Sequence, residues 1–285
     1  LEFGRPVEEV FSHFEQEPIA SASIGQVHRA RLKTGEEVVV KVQHAGIERK
    51  VSVDLDILSG LAQIAERIPE FANYRPVAMA AEFRRVFRDE LDFTREARNM
   101  QQFARELASN PTVHIPRCYA EWTTSRVLTM EFVDGIKLIE TDRLAEAGLD
   151  LEEIARRGAT LYLDMIFDKS FYHADPHPGN ALVMPGNVIA LLDFGMVGRI
   201  DERLQSDIEE MLLAVMNQDP EYLTSIITRV GSIPAEFDRA ALSVEVADFV
   251  SLYANQSLDQ FDLSGALNDL TEMIRRYHIS LPARI

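Results

Sequence analysis

His173-Ala174-Asp175-Pro176-His177-Pro178-Gly179-Asn180, followed one short hairpin later by Leu192-Asp193-Phe194-Gly195, is the stretch on which the fold turns. Moving a phosphoryl group takes one carboxylate to orient or deprotonate the acceptor. It also takes an amide and a second carboxylate to hold the metal that bridges the phosphates. Asp175, Asn180 and Asp193 supply those groups in order. Read alone, Asp193-Phe194-Gly195 is also a helix-start or turn signal, and His173 and His177 also suit a transition-metal site. The metal reading lacks a further cluster of His or Cys. His173 is expected to orient the loop through hydrogen bonds, and His177 either contacts phosphate or is merely exposed.

The order Asp, Asn, then Asp-Phe-Gly is that of the protein-kinase signature set, which directs attention upstream. Val38-Val39-Val40-Lys41-Val42 reads as a strand whose alternation sets Lys41 opposite Val38, Val40 and Val42. Such a lysine is ordinarily solvated. With the downstream loop present it becomes the strand lysine that contacts nucleotide phosphates and pairs with a helical glutamate. That glutamate is sought in Glu90-Leu91-Asp92-Phe93-Thr94-Arg95-Glu96, and Glu96 is the assignment, with Asp92 on the same helical face and Glu90 pointing elsewhere. The alternative is an ordinary salt-bridged helix surface.

Ahead of the first strand, Ala20, Ser21, Ala22, Ser23, Gly25 and Gln26 form a loop of mostly small residues, which lets backbone amides approach phosphates; a tight turn into a strand would look the same. One glycine in place of three implies a stiff loop. Met130-Glu131-Phe132-Val133 falls where a connection between lobes would offer backbone groups to adenine, so Glu131 and Val133 complete the expected nucleotide contacts.

A strand pair, Val27 to Leu32 and Glu37 to Gln43, is joined by the turn Lys33-Thr34-Gly35-Glu36. Helical spacing runs from Ala45 to about Arg67, where Pro69 closes it, and again from about Val77 to Leu107. Val113 to Ala120 and Ser125 to Phe132 return to strand composition, and a lobe boundary is expected near Gly135. Beyond it come a helix from Leu151 to Phe167, two short strands around Pro185-Gly186-Asn187, and mostly helix thereafter. The expected lobes are 1–135, small and mixed, and 136–285, larger and mainly helical.

At 285 residues the chain exceeds the usual size of one core, which favours two packed lobes. With 46% hydrophobic and 26% charged residues it excludes the disordered and collagen-like classes. A net charge of -17 argues against nucleic acid as a partner, because phosphate backbones demand a basic footprint. It also repels anionic membranes, apart from a local patch at Arg84, Arg85 and Arg88. Cys118 is the single cysteine, so no intrachain disulfide forms and a reducing compartment is expected. No apolar run is long enough to cross a bilayer. The segment is expected to be soluble, and its start at Leu1 and stop at Ile285 suggest a piece of something longer.

Together, Ser23-Ile24-Gly25-Gln26-Val27-His28, the valine strand ending at Lys41, Glu90-Leu91-Asp92 with Arg95-Glu96-Ala97, the loop from His173 to Asn180, and Leu191-Leu192-Asp193-Phe194-Gly195 resemble the UbiB family. These are bacterial and organellar atypical kinases associated with coenzyme Q biosynthesis, and the resemblance covers most of Pro18 to Gly198. It implies an α+β, two-lobed protein-kinase-like fold with an antiparallel sheet and helices in the N-lobe. It implies binding of ATP or ADP with Mg²⁺, ATPase or lipid-linked phosphotransferase activity in ubiquinone or isoprenoid-lipid metabolism, a lipid or quinone-precursor ligand, and partner proteins of quinone biosynthesis. Carried over by position, Lys41 and Glu96 are the ion pair, Asp175 the loop aspartate, and Asn180 and Asp193 the metal ligands. In the family an N-terminal Lys-x-Gly-Gln segment engages the Glu90 and Asp92 motif, and C-terminal helices anchor the protein. Both would lie in flanks outside this chain, so the expected location is the bacterial cytoplasm, with the full-length protein at the inner membrane.

After Gly195 the chain runs from Arg199-Ile200-Asp201 directly into a helix, without the long activation segment ending in Ala-Pro-Glu that seats a peptide. A small or lipid-like acceptor, or water, is therefore expected in place of a protein. Two rivals stand beside this reading: a soluble small-molecule kinase of the aminoglycoside or choline kinase type, and a non-catalytic adaptor gated by nucleotide.

Overall fold

Valine alternation and a tight turn account for the first sheet. The computed structural model describes residues 2–68, 71, 75–175, 177–231, 233–234, 237–254, 263–277 and 279, so Pro69 and Pro176 lie outside the described residues. A short helix α1 (Val7–Val10) precedes strands β1 (Phe11–Phe14), β2 (Ala20–Ser21), β3 (Gly25–Leu32), β4 (Glu37–Gln43), β5 (Val113–His114) and β6 (Val127–Glu131). All but β5 join one antiparallel sheet in the order β1-β3-β4-β6, with β2 beside β3. The turn from β3 to β4 uses Gly35 at φ 108°, a conformation open mainly to glycine. Val38 and Val40 are buried with Phe11, Ala30 and Leu32 on one face, which leaves Lys41, paired with Val27 and Leu128, for the other.

Helix α2 (Ile47–Ala65) follows the sheet. The long helix expected from Val77 to Leu107 is in fact two, α3 (Pro76–Glu90) and α4 (Phe93–Glu106). Asp92 breaks it: its backbone is extended, and its carboxylate accepts the Thr94 amide at 3.0 Å, an N-cap for α4. Gln43 secures the break by donating to the Leu91 carbonyl at 2.6 Å, and the Phe93 amide donates to Ser125 O at 3.0 Å. Asp92 therefore does not share a helical face with Glu96, contrary to the expectation from spacing.

The strand expected over Val113 to Ala120 shrinks to β5 and a single bridge between Cys118 and Met130; Pro116 interrupts it by removing a backbone donor. Past Gly135 come β7 (Ile136–Lys137), α5 (Thr141–Glu146) and α6 (Leu151–Leu163), the last continued by a widened turn over Asp164–Asp168. Then β8 (Phe171–His173) leads into the loop, and β9 (Ala181–Met184) and β10 (Val188–Leu191) form the hairpin after it. A second sheet has the order β5-β10-β9-β7, with β5 parallel to β10.

By internal contacts the chain forms two units, Leu1–Met165 with Tyr172–Gly198, and Ile166–Phe171 with Arg199–Ile285. Gly135 lies inside the first, because the second sheet joins strands from both sides of it. The second unit is helical, with α7 (Glu202–Met216), α8 (Pro220–Val230), α9 (Arg239–Tyr253) and α10 (Leu263–Arg276). Asp201, Asp219 and Asp238 cap the first three of these by accepting the amides of Leu204, Tyr222 and Ala241. Its core gathers Leu223, Ile226, Leu242, Val246 and Val250. Among the described residues no helix is long and apolar enough to cross a membrane. In the basic patch, Arg84 is bound to Asp56 and Arg85 to Glu82.

Candidate active site

Lys41 projects from β4 and meets Glu96 on the first turn of α4, with Nζ 3.0 and 2.9 Å from the two carboxylate oxygens. Both side chains are nearly inaccessible, at 12% and 5% exposure. Asp193 Oδ2 lies 3.5 Å from the same ammonium, and the buried Phe93 ring lies beneath it. Burial works against the Lys41 charge, but Glu96 and Asp193 outweigh it and hold the ammonium above its usual pKa. Burial likewise resists ionisation of Asp193, yet Lys41 and the Gly195 amide prevail and keep the carboxyl below its usual range. Burial raises the Glu96 carboxyl, an effect Lys41 only partly offsets.

The loop is braced from behind. His173 is buried; its Nδ1 accepts the Asp175 amide at 3.2 Å and its Nε2 bonds the Asp193 carbonyl. His177 is exposed, and its Nδ1 accepts the Gly179 amide at 3.0 Å, closing a short turn over Pro178–Asn180. Both histidines thus serve the loop's own backbone. Asn180 Nδ2 donates to Asp175 Oδ2 at 2.8 Å, and the Leu192 amide donates to Asn180 O at 2.9 Å, tying the loop to the segment that carries Asp193.

Lys41, Glu96, Asp175 and Asp193 line one cavity of about 160 Å³, together with Ala22, Ser23 and Ile24 and with Asp89, Glu90 and Asp92. Ala20 and Ser21 are exposed in β2, and Gln26 is half-buried in β3; these three stand outside the cavity wall. Gly25 is buried at the start of β3, where an added Cβ would stand 2.5 Å from Val42 O, so strand contact demands this glycine. Glu131 turns its carboxylate to His114 and to the Arg117 amide, and Val133 is buried; neither reaches the cavity. Asn180 is not part of that lining and is joined to it by its bond to Asp175.

Two supports escaped the sequence reading. Asn99 donates to the Phe194 carbonyl at 2.8 Å, and Phe103 packs with Phe194 and His173 at centroid distances of 5.4 and 6.3 Å. Both lie on the face of α4 that carries Glu96, at spacings of three and seven, and that periodicity is the signal that would have found them.

A strand lysine paired to a helical glutamate, a braced loop aspartate and an Asp-Phe-Gly carboxylate define a protein-kinase-like domain. Residues 1–227 match the ABC1 atypical kinase-like domain, and the chain belongs to that family. It is 37% identical over 85% of its length to the chloroplastic protein "ACTIVITY OF BC1 COMPLEX KINASE 8" of Arabidopsis thaliana, covering 32% of that protein. It is 32% identical along its whole length to a "Probable protein kinase UbiB" of Pseudomonas fluorescens, covering 54% of it. The chain thus spans about half the length or less of these curated relatives. Among solved structures, the Rv3197–erythromycin complex from Mycobacterium tuberculosis shares the fold, with a TM-score of 0.69 and 24% identity over 95% of this chain and 74% of that one.

Proposed function

We propose that this domain binds ATP or ADP with Mg²⁺ and carries out ATP hydrolysis or phosphoryl transfer to a small or lipid-like acceptor. The observation that carries the reading is the convergence of Lys41, Asp175 and Asp193 on one cavity, with Lys41 held by Glu96 at 2.9 Å. Lys41 is fixed as a point charge for nucleotide phosphates, and Glu96 keeps it from swinging away. Asp175, held by Asn180 and by the His173 bracing, accepts a proton from the attacking hydroxyl.

The donors suit a hard divalent cation. Asp193 presents a carboxylate kept ionised by Lys41, and Asn180, bonded to Asp175 through its nitrogen, would offer its amide oxygen from beside the cavity. When bound there, Mg²⁺ would supply positive charge that neutralises the phosphates. Between Gly195 and the Asp201 cap only the short strand Val197–Arg199 intervenes, which leaves little chain to seat a peptide. A role in ubiquinone or isoprenoid-lipid metabolism, with partners in that process, is part of this proposal and rests on the resemblance to the UbiB family alone.

The test is a nucleotide and Mg²⁺ titration coupled to phosphate release, comparing the chain with Asp193→Asn. Loss of metal-dependent nucleotide binding in the variant is expected. Unchanged binding would remove the site assignment, and binding without phosphate release in any lipid or alcohol would point to an adaptor.

A further inference from the structure

Asp175 lines two cavities. One is the polar cavity around Lys41; the other, of about 410 Å³, is bounded by α5, α6, β10 and the loop itself, and Asp175 is the one residue they share. The second falls within the roughly 300–1,000 Å³ of small-molecule sites. Its walls are apolar, with Leu144, Ile154, Leu161, Ile189 and Leu191. Space remains because α6 turns Ala155, Gly158 and Ala159 toward β10, where a Cβ on Gly158 would meet only Ile189 Cδ1, at 3.8 Å. Ala155 and Ala159 are exposed, so the cavity reaches solvent.

Apart from Thr141, the polar side chains here are Tyr162 and those of the loop. Burial and the Asp175 charge push the Tyr162 hydroxyl up to about 12, which keeps it a donor beside that carboxylate. A sugar or an ammonium entering between α6 and β10 would lose its hydration to walls with no partner to offer. A hydrocarbon would gain by the same burial.

We infer that this cavity seats the phosphoryl acceptor, and that the acceptor is an apolar alcohol with its hydroxyl at Asp175 and its hydrocarbon between α6 and β10. The inference rests on the phosphoryl-transfer reading above. The acceptor oxygen attacks the γ-phosphorus of a nucleoside triphosphate, and the bond from that phosphorus to the β,γ-bridging oxygen breaks. The diphosphate leaves with the electron pair, and the hydroxyl proton passes to Asp175. The products are a phosphate monoester and a nucleoside diphosphate.

The experiment follows transfer from γ-labelled ATP to linear primary alcohols from ethanol to decanol, with glycerol and choline as polar controls. ADP affinity is measured in parallel. Affinity for the alcohol should rise about three- to fourfold per added methylene until the cavity is full. Ala155→Leu, which fills it, should raise KM for decanol at least tenfold while leaving ADP affinity unchanged, and that affinity also reports that the variant has folded. Should Ala155→Leu misfold, Tyr162→Phe replaces it, removing one donor and raising KM for every alcohol by a common factor. ADP binding with transfer that ignores chain length, or that prefers glycerol or choline, overturns the acceptor site alone. Absence of ADP binding overturns the phosphoryl-transfer reading, and the acceptor site falls with it.

Discussion

Lys41 and Glu96 stand 55 positions apart in sequence, yet the ammonium lies within 3.0 Å of both carboxylate oxygens in a nearly water-free setting. Removing one partner strands the other charge. Lys41→Met should therefore cost about 3–5 kcal/mol of stability, as buried pairs do when broken. The double variant Lys41→Met with Glu96→Leu should recover part of that loss, since Asp193, 3.5 Å from the lost ammonium, still lacks its partner, while nucleotide binding stays absent in both. Urea denaturation of the single and double variants checks the first claim, and an ADP titration the second. A double variant no more stable than Lys41→Met would show that the stranded Glu96 charge is not what the single variant loses stability to.

Asp175 is placed for proton transfer, with Asn180 donating to Oδ2 at 2.8 Å. Asp175→Asn removes the base and keeps the shape. Phosphate transfer should fall about 10²- to 10⁴-fold, with ADP affinity and melting temperature close to those of the parent. A parallel loss of ADP affinity would make Asp175 a binding group instead.

The grouping of the candidate site's residues was legible where chemistry constrains residue type. Lys41 followed from strand alternation read with the downstream loop, Asp175 and Asp193 from the order of their motifs, and Glu96 from the search for a helical partner to Lys41. What escaped was set by tertiary contacts that local patterns do not encode. The break at Leu91 and Asp92 is a mixed case: the Asp92 cap is a local signal that the helical spacing hid, whereas Gln43 in β4 and Ser125 ahead of β6, which hold the break, come from distant segments. The side-chain partners of Glu131 also escaped, since His114 and the Arg117 amide reach its carboxylate through pairings that bring distant segments together, while the backbone contact expected of Glu131 is a separate matter. Asn99 and Phe103 were in reach of helical periodicity, but nothing local marked Phe194 as the group they support.

Gly25 was read as a glycine for phosphates, and its geometry makes a different demand. A methyl group there would press on the Val42 carbonyl from 2.5 Å, inside a sheet that cannot open locally. Gly25→Ala should destabilise the fold by about 1–3 kcal/mol, the usual cost of overpacking. A urea midpoint equal to that of the parent, with reduced ADP affinity, would return the glycine to the phosphate role.

Glu90 faces the polar cavity with no hydrogen-bond partner among the described residues, and burial followed by the Asp193 charge pushes its carboxyl above the usual value, against a smaller pull from Lys41. The folded state therefore keeps a proton that the unfolded chain releases. Stability due to this group is fully present below the unfolded glutamate range near about 4.3 and is lost as pH rises through the raised folded value. Glu90→Gln cannot ionise, so its melting temperature should exceed that of the parent at pH 7.5, and the gap should close as pH falls toward 4.5. Mg²⁺ and ADP are left out of this measurement, since cations entering the cavity would stabilise the carboxylate and mask the difference. A gap that stayed constant between the two pH values would mean that Glu90 acts through packing and not through its charge.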